Sequence, residues 1–308
     1  MFFNLKKKKP KAPTHYDYFN EQAALPELVV VLHGLKATPR SMRKMNAYLT
    51  ACGYSVASPC LDYDHLDVEG IVEQIHEKVG DKIENYKKVH FVGYSMGGMA
   101  LRAYLSQHFP EEKMGNAIQI GAPNQGSLGM RLLMKIPGVK SLAGPMAVQV
   151  SKKKFEEDLT DKHAKPAHFF PEKIPYKLGV IAGDAIKGLK DIFNALILPG
   201  GDDGIVTLKE TAFNGMTDHI IIDDHHVGLS TSNKSMLLVS HFLKNATFDP
   251  FTSKNLTAFK VKRGLFNFLK PCMKGSIDRL LIPTRWFIRN SRRQIEELKT
   301  NIKKAVPF

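Results

Sequence analysis

The stretch Val89-His90-Phe91-Val92-Gly93-Tyr94-Ser95-Met96-Gly97-Gly98 decides the fold of this chain. A short apolar run precedes the Gly-x-Ser-x-Gly pattern, and the residues that follow, to about position 108, have a helical pattern. Five residues by themselves match by chance too easily to carry an assignment. Strand, Gly-x-Ser-x-Gly and helix in succession, however, are typical of a tight turn that holds a serine at the top of a sheet with its hydroxyl pushed outwards. The stretch therefore predicts an α/β sheet with Ser95 as a candidate nucleophile.

Strand and helix signals alternate on both sides of this stretch. The candidate strands are short runs rich in Val and Ile, typical of strands buried on both faces of a parallel sheet. They lie at 28–32, 54–57, 89–92, 117–120, 178–182 and 219–222, with helical stretches at about 40–51, 68–85, 98–108 and 233–244. The succession predicts an α/β fold, a doubly wound and mostly parallel sheet with right-handed crossovers. Ligands bind at the carboxyl ends of the strands in such sheets.

The alternation is interrupted at about 127–176, where glycines and prolines are mixed with the lysine-rich piece 152–154. A segment of that length without clear elements is uncommon inside a domain unless it has a function. We therefore expect a lid-like insertion or a wall of the substrate pocket. An ordinary insertion with two short helices is the alternative.

Composition places the chain among ordinary globular proteins, since 43% of its 308 residues are hydrophobic and 24% are charged. Its three cysteines, Cys52, Cys60 and Cys272, lack the spacing of zinc ligands. A Cys52–Cys60 pair is conceivable, but free thiols suit the chain better, and with them a reducing compartment. No apolar run approaches the roughly 18 to 20 residues of a membrane span. We expect a cytoplasmic or membrane-peripheral protein.

The net charge of +14 is concentrated at the two ends. Residues 1–20 hold five lysines against Asp17, and residues 251–308 hold 14 Lys or Arg against three acidic residues. The sequence therefore divides into a basic N-terminal segment (1–20), a nearly neutral α/β domain (21–250) and a basic C-terminal extension (251–308).

The C-terminal extension has the pattern of a basic amphipathic helix. Ile288, Ile295 and Ile302 recur at intervals of seven, and most of the Arg and Lys side chains fall on the opposite side. Such helices bind anionic membrane surfaces, and a helix packed on the α/β domain is the alternative. Nucleic-acid binding is not expected, because no recognised nucleic-acid fold accompanies the charge.

A nucleophilic serine needs a histidine that takes its proton and a carboxylate that orients the histidine, here expected in the chain order Ser, acid, His. Asp203 is the preferred acid, because it lies in a glycine-rich turn directly before Gly204-Ile205-Val206. Asp202 could instead cap that turn, and Asp184, after the strand at 178–182, is the competing acid.

The base is expected on the loop that follows the last strand. His226 is preferred to His225, because it directly precedes Val227-Gly228-Leu229. His219 lies at the beginning of the strand, away from the carboxyl end where the chemistry must occur.

An oxyanion hole needs backbone N–H donors beside the nucleophile. Val29-Val30-Val31-Leu32-His33-Gly34-Leu35 is a strand that ends in His-Gly, which predicts the N–H of Leu35 as one donor. The N–H of Met96, directly after the nucleophile, is the second.

Five ordered motifs resemble the lipase/esterase branch of the α/β-hydrolases: His33-Gly34-Leu35, 93–98, 121–127, Asp203-Gly204-Ile205-Val206 and His226-Val227-Gly228-Leu229. The resemblance covers about 28–245 and implies a compact α/β-hydrolase fold and hydrolysis of carboxylic esters, often acylglycerols, without a cofactor or metal. It also implies that 121–127 helps to wall the acyl pocket. The candidate pocket residues are His33, Gly34, Tyr94, Pro123 and Gln125.

The resemblance leaves the acceptor of the acyl group open. A serine carboxylester hydrolase acting on a lipid or other acyl ester is the favoured function. An acyltransferase or thioesterase on the same residues is the alternative, and a catalytically idle, membrane-associated interaction protein is the third. Little of the chain precedes Leu28, so few strands are expected at the front of the sheet, and the basic extension has no counterpart in the resemblance.

Overall fold

Seven strands form one sheet in the computed structural model, which describes residues 17–21, 26–135, 143–151, 169–185 and 201–249. They are β1 (Tyr18–Asn20), β2 (Glu27–Leu32), β3 (Ser55–Ser58), β4 (Lys88–Tyr94), β5 (Met114–Ile120), β6 (Leu178–Gly183) and β7 (Asp218–Ile222). Their order across the sheet is β1-β3-β2-β4-β5-β6-β7. All neighbours are parallel except β1, which pairs antiparallel with β3.

Helices cover both faces of this sheet. They are α1 (Arg43–Ala51), α2 (Val68–Glu84), α3 (Met96–Gln107), α4 (Leu128–Leu133), α5 (Pro145–Ser151), α6 (Leu208–Thr211), α7 (His226–Leu229) and α8 (Asn233–Asn245), with 3-10 turns at Pro39–Met42 and Glu111–Lys113. The buried side chains of α2, α3 and α5 form one apolar cluster with the sheet, and those of α1 and α8 form the other. The predicted doubly wound, mostly parallel sheet is confirmed.

The local sequence accounts for these elements. Every residue of Leu28–Leu32 is fully buried, as its unbroken apolar run requires in a central strand. In α2 the buried residues recur at helical spacing along one side, and they are Val68, Ile71, Val72, Ile75, Val79 and Ile83. The helix begins after Asp67, whose carboxylate accepts a hydrogen bond of 3.0 Å from the N–H of Gly70.

The front of the sheet differs from the expectation. Tyr18–Asn20, at the end of the predicted basic N-terminal segment, adds an antiparallel edge strand that the sequence pattern did not indicate. Three residues are too few for a recognisable alternation, and β1 depends on its pairing with β3. The helix after Ser95 also begins two residues earlier than predicted, at Met96.

Several predicted features lie wholly or partly outside the described residues. Residues 1–16 and 251–308, which hold most of the basic charge, are not described, and of the predicted insertion only α4, α5 and residues 169–176 are. In the part of the chain that is described, no helix combines the length and the apolar character that a bilayer crossing requires. Cys52 and Cys60 are free thiols.

The strand order creates a crevice beside Ser95. The chain leaves β2 to form β3 on one side and then returns to form β4 on the other. The loop that follows β2 and the turn that follows β4 therefore diverge, which is the topological switch point where α/β sheets bind their ligands. This point brings His33-Gly34-Leu35 next to Ser95.

Candidate active site

Ser95 occupies a strained turn between β4 and α3. Its φ of 54° and ψ of −122° lie in a region that residues with a Cβ rarely adopt. The turn is held by the N–H of Ser95, which donates to the carbonyl oxygen of Ile120 at 2.8 Å. From Val89 to Leu105 every residue is buried except Ser95, which is half-buried. The backbone thus presents a single side chain to the outside of the sheet.

Neighbouring backbones come unusually close to this strained turn. A Cβ added to Gly97 would lie 2.3 Å from the carbonyl oxygen of Leu32 and 2.5 Å from that of His33. The start of α3 therefore contacts the end of β2 directly. At Gly34 an added Cβ would lie 3.1 Å from the Cβ of Ser95, which places the loop after β2 against the candidate nucleophile.

A continuous chain of hydrogen bonds joins Ser95, His226 and Asp203. The Nε2 atom of His226 lies 2.9 Å from Oγ of Ser95, and its Nδ1 atom lies 2.7 Å from Oδ2 of Asp203. A carboxylate can only accept, so Nδ1 carries the ring proton and Nε2 accepts from the serine hydroxyl. The ring of His226 and the carboxylate of Asp203 are buried, with 6% and 0% of the side chain exposed. This arrangement can transfer a proton from the serine to the imidazole.

The carboxylate of Asp203 is fixed by its own turn. Its Oδ1 atom accepts from the backbone N–H of Ile205 at 3.0 Å and of Val206 at 2.8 Å. Its carbonyl oxygen accepts from the N–H of His226 at 2.8 Å. The turn that contains Asp203 and the loop that contains His226 are therefore joined by both a side-chain and a backbone hydrogen bond.

The competing residues are directed elsewhere. Asp202 is buried, and its Oδ1 accepts from the N–H of Gly204 at 2.7 Å, the capping contact considered from the sequence. Asp184 is exposed. His219 lies 3.1 Å from the hydroxyl of Thr211, and His225 is the residue before α7. None of the four hydrogen-bonds to Ser95 or His226 through its side chain.

The two predicted oxyanion donors flank Ser95. Met96 is the first residue of α3, where a backbone N–H has no acceptor within the helix and lies at the positive end of the helix dipole. Leu35 follows Gly34, whose backbone lies against Ser95. Both positions suit the stabilisation of negative charge beside the serine oxygen.

Comparison with known proteins finds similar sequences and folds. A family model described as palmitoyl protein thioesterase matches residues 28–177, a range that includes Ser95 and ends before Asp203. The mature lipase BlEst2 of Bacillus licheniformis superposes with a TM-score of 0.54 at 22% identity, over 74% of this chain and 98% of the lipase. The chain has the fold of the α/β-hydrolases.

Other solved structures show the same fold. The propeptide form of BlEst2 gives the same score, but the match covers only 53% of that longer chain. Phospholipase PlaB of Legionella pneumophila matches with a TM-score of 0.52 at 13% identity, over 81% of this chain and 65% of the phospholipase. No curated protein matches this chain in sequence. The neighbours show the fold, and the family match makes residues 28–177 similar to palmitoyl protein thioesterases.

Two of the candidate pocket residues, Tyr94 and His33, hold the loops around Ser95 in place. The hydroxyl of Tyr94 donates to the carbonyl oxygen of His226 at 3.1 Å, and burial raises the pKa of Tyr94, which keeps it protonated as a donor. His33 is fully buried and its Nε2 accepts from the N–H of Leu61 at 3.0 Å. Tyr63 donates to the carbonyl oxygen of His33 at 2.9 Å. Tyr94 thus fixes the loop that contains His226, and the hydrogen bonds of His33 fix the loop that leads to Leu35.

Of the other three, Gly34 lies against Ser95, and Pro123 and Gln125 lie on the loop after β5. Pro123 is buried, and the side-chain amide of Gln125 donates to the carbonyl oxygen of Ala212 at 2.9 Å. A residue that the sequence analysis missed joins this loop to the acid: the carboxylate of Glu210 accepts from the N–H of both Leu128 and Thr207. The spacing Thr207-x-x-Glu210, a capping box, is the signal that could have found it.

Proposed function

We propose that this α/β-hydrolase is a serine hydrolase that cleaves acyl esters through an acyl-enzyme on Ser95. The hydrogen-bonded chain from Asp203 through His226 to Ser95 is the observation that carries the proposal. Oγ of Ser95 attacks the acyl carbon while its proton passes to Nε2 of His226. Asp203 stays ionised and stabilises the imidazolium that forms.

Collapse of the tetrahedral intermediate completes the first half of the reaction. The bond from the acyl carbon to the leaving oxygen breaks, and His226 gives its proton to that oxygen. Water then attacks the acyl-enzyme with His226 again as the base, and the acid product leaves with Ser95 restored. The N–H groups of Leu35 and Met96 hold the negative oxygen in both halves.

We propose a lipid or other hydrophobic acyl ester as the substrate. BlEst2 is a lipase and PlaB a phospholipase, and both share the fold over most of this chain. The family match to palmitoyl protein thioesterase favours a second candidate, an acyl thioester cleaved by the same residues. An alcohol acceptor in place of water would make the enzyme an acyltransferase.

Labelling with a fluorophosphonate tests the nucleophile. We expect the wild-type protein to react covalently and Ser95→Ala to stay unlabelled, because the alanine has no oxygen to attack the phosphorus. The measurement is the mass shift of the intact protein, with Ser41→Ala, at a half-buried serine in the 3-10 turn before α1, as the matched control. Equal labelling of wild type and Ser95→Ala would overturn the assignment. A folded wild type that takes no label and cleaves no ester would favour the idle interaction protein.

A substrate panel then distinguishes the acyl groups and acceptors. Paired oxygen and thiol esters of the same acyl chain compare esterase with thioesterase action, and product analysis with added alcohol detects acyl transfer.

We also propose that the basic extension 251–308 brings the enzyme to an anionic membrane surface, on the cytoplasmic face where its substrate would lie. Each basic residue near such a surface contributes roughly 1 kcal/mol, and the extension holds 14 of them. The support is the sequence pattern alone.

Deletion of 251–308 tests this second proposal. We expect the truncated enzyme to lose sedimentation with anionic liposomes and to keep hydrolysis of a soluble ester. In the full chain, the combined substitutions Arg289→Gln, Arg292→Gln, Arg293→Gln and Lys299→Gln should weaken sedimentation. The combined substitutions Lys6→Gln, Lys7→Gln, Lys8→Gln and Lys9→Gln should change it less. A truncated protein that unfolds or aggregates would mean that the extension is part of the folded body, and the membrane proposal would fail.

A further inference from the structure

Arg102 carries a buried charge that the proposed chemistry does not use. It lies on α3, seven residues after Ser95, and only 3% of it is exposed. The desolvation of burial lowers the pKa of Arg102 to about 10, and the weaker effects of Tyr176 and Glu172 offset this only in part. The guanidinium is therefore charged at neutral pH. Among the described residues no carboxylate lies within ion-pairing distance of it.

The guanidinium joins three segments that are distant in the sequence. Its Nη1 donates to Oδ1 of Asn124 at 2.7 Å, and its Nη2 donates to the carbonyl oxygen of Pro171 at 2.8 Å. Its central carbon lies 3.9 Å from the centre of the Phe213 ring, a cation–π contact. An apolar side chain of this size could fill the same space without the cost of burying a charge. The planar guanidinium, by contrast, donates in fixed directions to two acceptors at the same time.

Asn124 extends this contact back to the nucleophile helix. Because arginine can only donate, the side-chain oxygen of Asn124 must face Arg102 and its NH₂ group must face away. That group donates to Oε1 of Gln119 at 2.8 Å and to the carbonyl oxygen of Thr211 at 2.7 Å. The amide of Gln119 donates in turn to the carbonyl oxygen of Gly98 at 2.7 Å. The network closes on the first turn of α3, beside Ser95.

The loop that contains Asn124 begins at Gly121, which lies beside Asp203 and His226. At Gly121 an added Cβ would lie 3.3 Å from Oδ2 of Asp203 and 3.3 Å from Cε1 of His226. The loop of residues 121–127 therefore starts beside the acid and the base, and it contains Asn124, which accepts from Arg102.

We infer that Arg102 is a positioning residue that sets the acyl-chain selectivity of the enzyme by fixing the loop 121–127. The inference rests on the proposed ester hydrolysis. In the proposed reaction an acetyl group stays beside Ser95, whereas we expect a longer acyl chain to reach the loop that begins at Gly121, beside Asp203 and His226. A displaced loop therefore changes the binding of long chains and leaves the chemistry at Ser95 intact.

The test is the ratio of kcat/KM for octanoyl and acetyl p-nitrophenyl esters in the full chain. Arg102→Lys keeps the charge but cannot reach both acceptors in one plane, and Arg102→Met removes the charge at similar volume. We expect both to raise KM for the octanoyl ester about tenfold, which corresponds to a loss of about 1.4 kcal/mol in the binding of the acyl chain. The kcat for the acetyl ester and the rate of fluorophosphonate labelling should stay close to wild type.

Arg43→Lys, on α1 at the opposite face of the sheet, is the matched control and should leave the ratio unchanged. If the Arg102 variants do not fold, Asn124→Ser removes the acceptor of Nη1 and should shift the ratio in the same direction. A ratio that stays constant while the melting temperature falls would show a purely structural residue and overturn the inference. A wild type that hydrolyses neither ester would count against the proposed function instead.

Discussion

We expect His226→Ala to lower kcat/KM for ester hydrolysis about 10⁶-fold and Asp203→Asn about 10⁴-fold. Nε2 of His226 lies 2.9 Å from Oγ of Ser95, and without it the hydroxyl has no base. An asparagine at 203 keeps the shape of the carboxylate but can present an NH₂ group to Nδ1, which favours the tautomer that cannot accept the serine proton. The loss should appear in kcat, with KM little changed, because these contacts act in the transition state.

The neighbouring residues provide the matched controls. Asp202→Asn retains an oxygen that can accept from the N–H of Gly204, and His225→Ala removes a ring that makes no hydrogen bond to Ser95. Both should keep kcat/KM close to wild type in the same p-nitrophenyl ester assay. Losses at Asp202 or His225 equal to those at their neighbours would contradict the assignment of acid and base.

Ser95, Asp203 and His226 could be singled out from the sequence because their signals are local. A strand, a glycine-flanked serine and a helix lie within one short stretch, and the acid and the base each follow a strand or a glycine-rich turn in the expected order. Parallel strands bring their carboxyl ends to one edge of the sheet, so residues there meet without any knowledge of side-chain packing. This is why the fold and the hydrogen-bonded chain could be anticipated.

The buried polar contacts around the site could not be predicted, because they join segments that are distant in the sequence. The fork of Arg102 reaches a carbonyl oxygen 69 residues away, and Asn124 reaches one 87 residues away. Neither partner is marked by a motif, because a backbone carbonyl has no sequence signature. The hydroxyl of Tyr94 similarly binds the backbone of His226 across 132 residues. Sequence patterns locate elements, but packing decides which buried polar groups meet.

The second large effect is expected on stability, from Gly97→Ala. Helix propensity alone predicts a gain of about 1 kcal/mol in the free energy of unfolding, because Gly97 is the second residue of α3 and alanine is the better helix former. The added Cβ would, however, lie 2.3 Å from the carbonyl oxygen of Leu32 and 2.5 Å from that of His33. Both are backbone atoms of the central strand and its loop, so no side-chain rotation relieves the clash.

We therefore expect Gly97→Ala to lower the free energy of unfolding by about 3 kcal/mol or more instead of raising it. This loss is at the upper end of what overpacking costs. Urea denaturation followed by circular dichroism measures it. Gly80→Ala in α2 is the matched control, because its new Cβ would approach only the side chain of His76, at 3.1 Å, and the free energy of unfolding should change by less than about 1 kcal/mol. An unchanged urea midpoint for Gly97→Ala would mean that β2 and α3 can separate at little cost. The strained turn at Ser95 would then have to be held by something other than this contact.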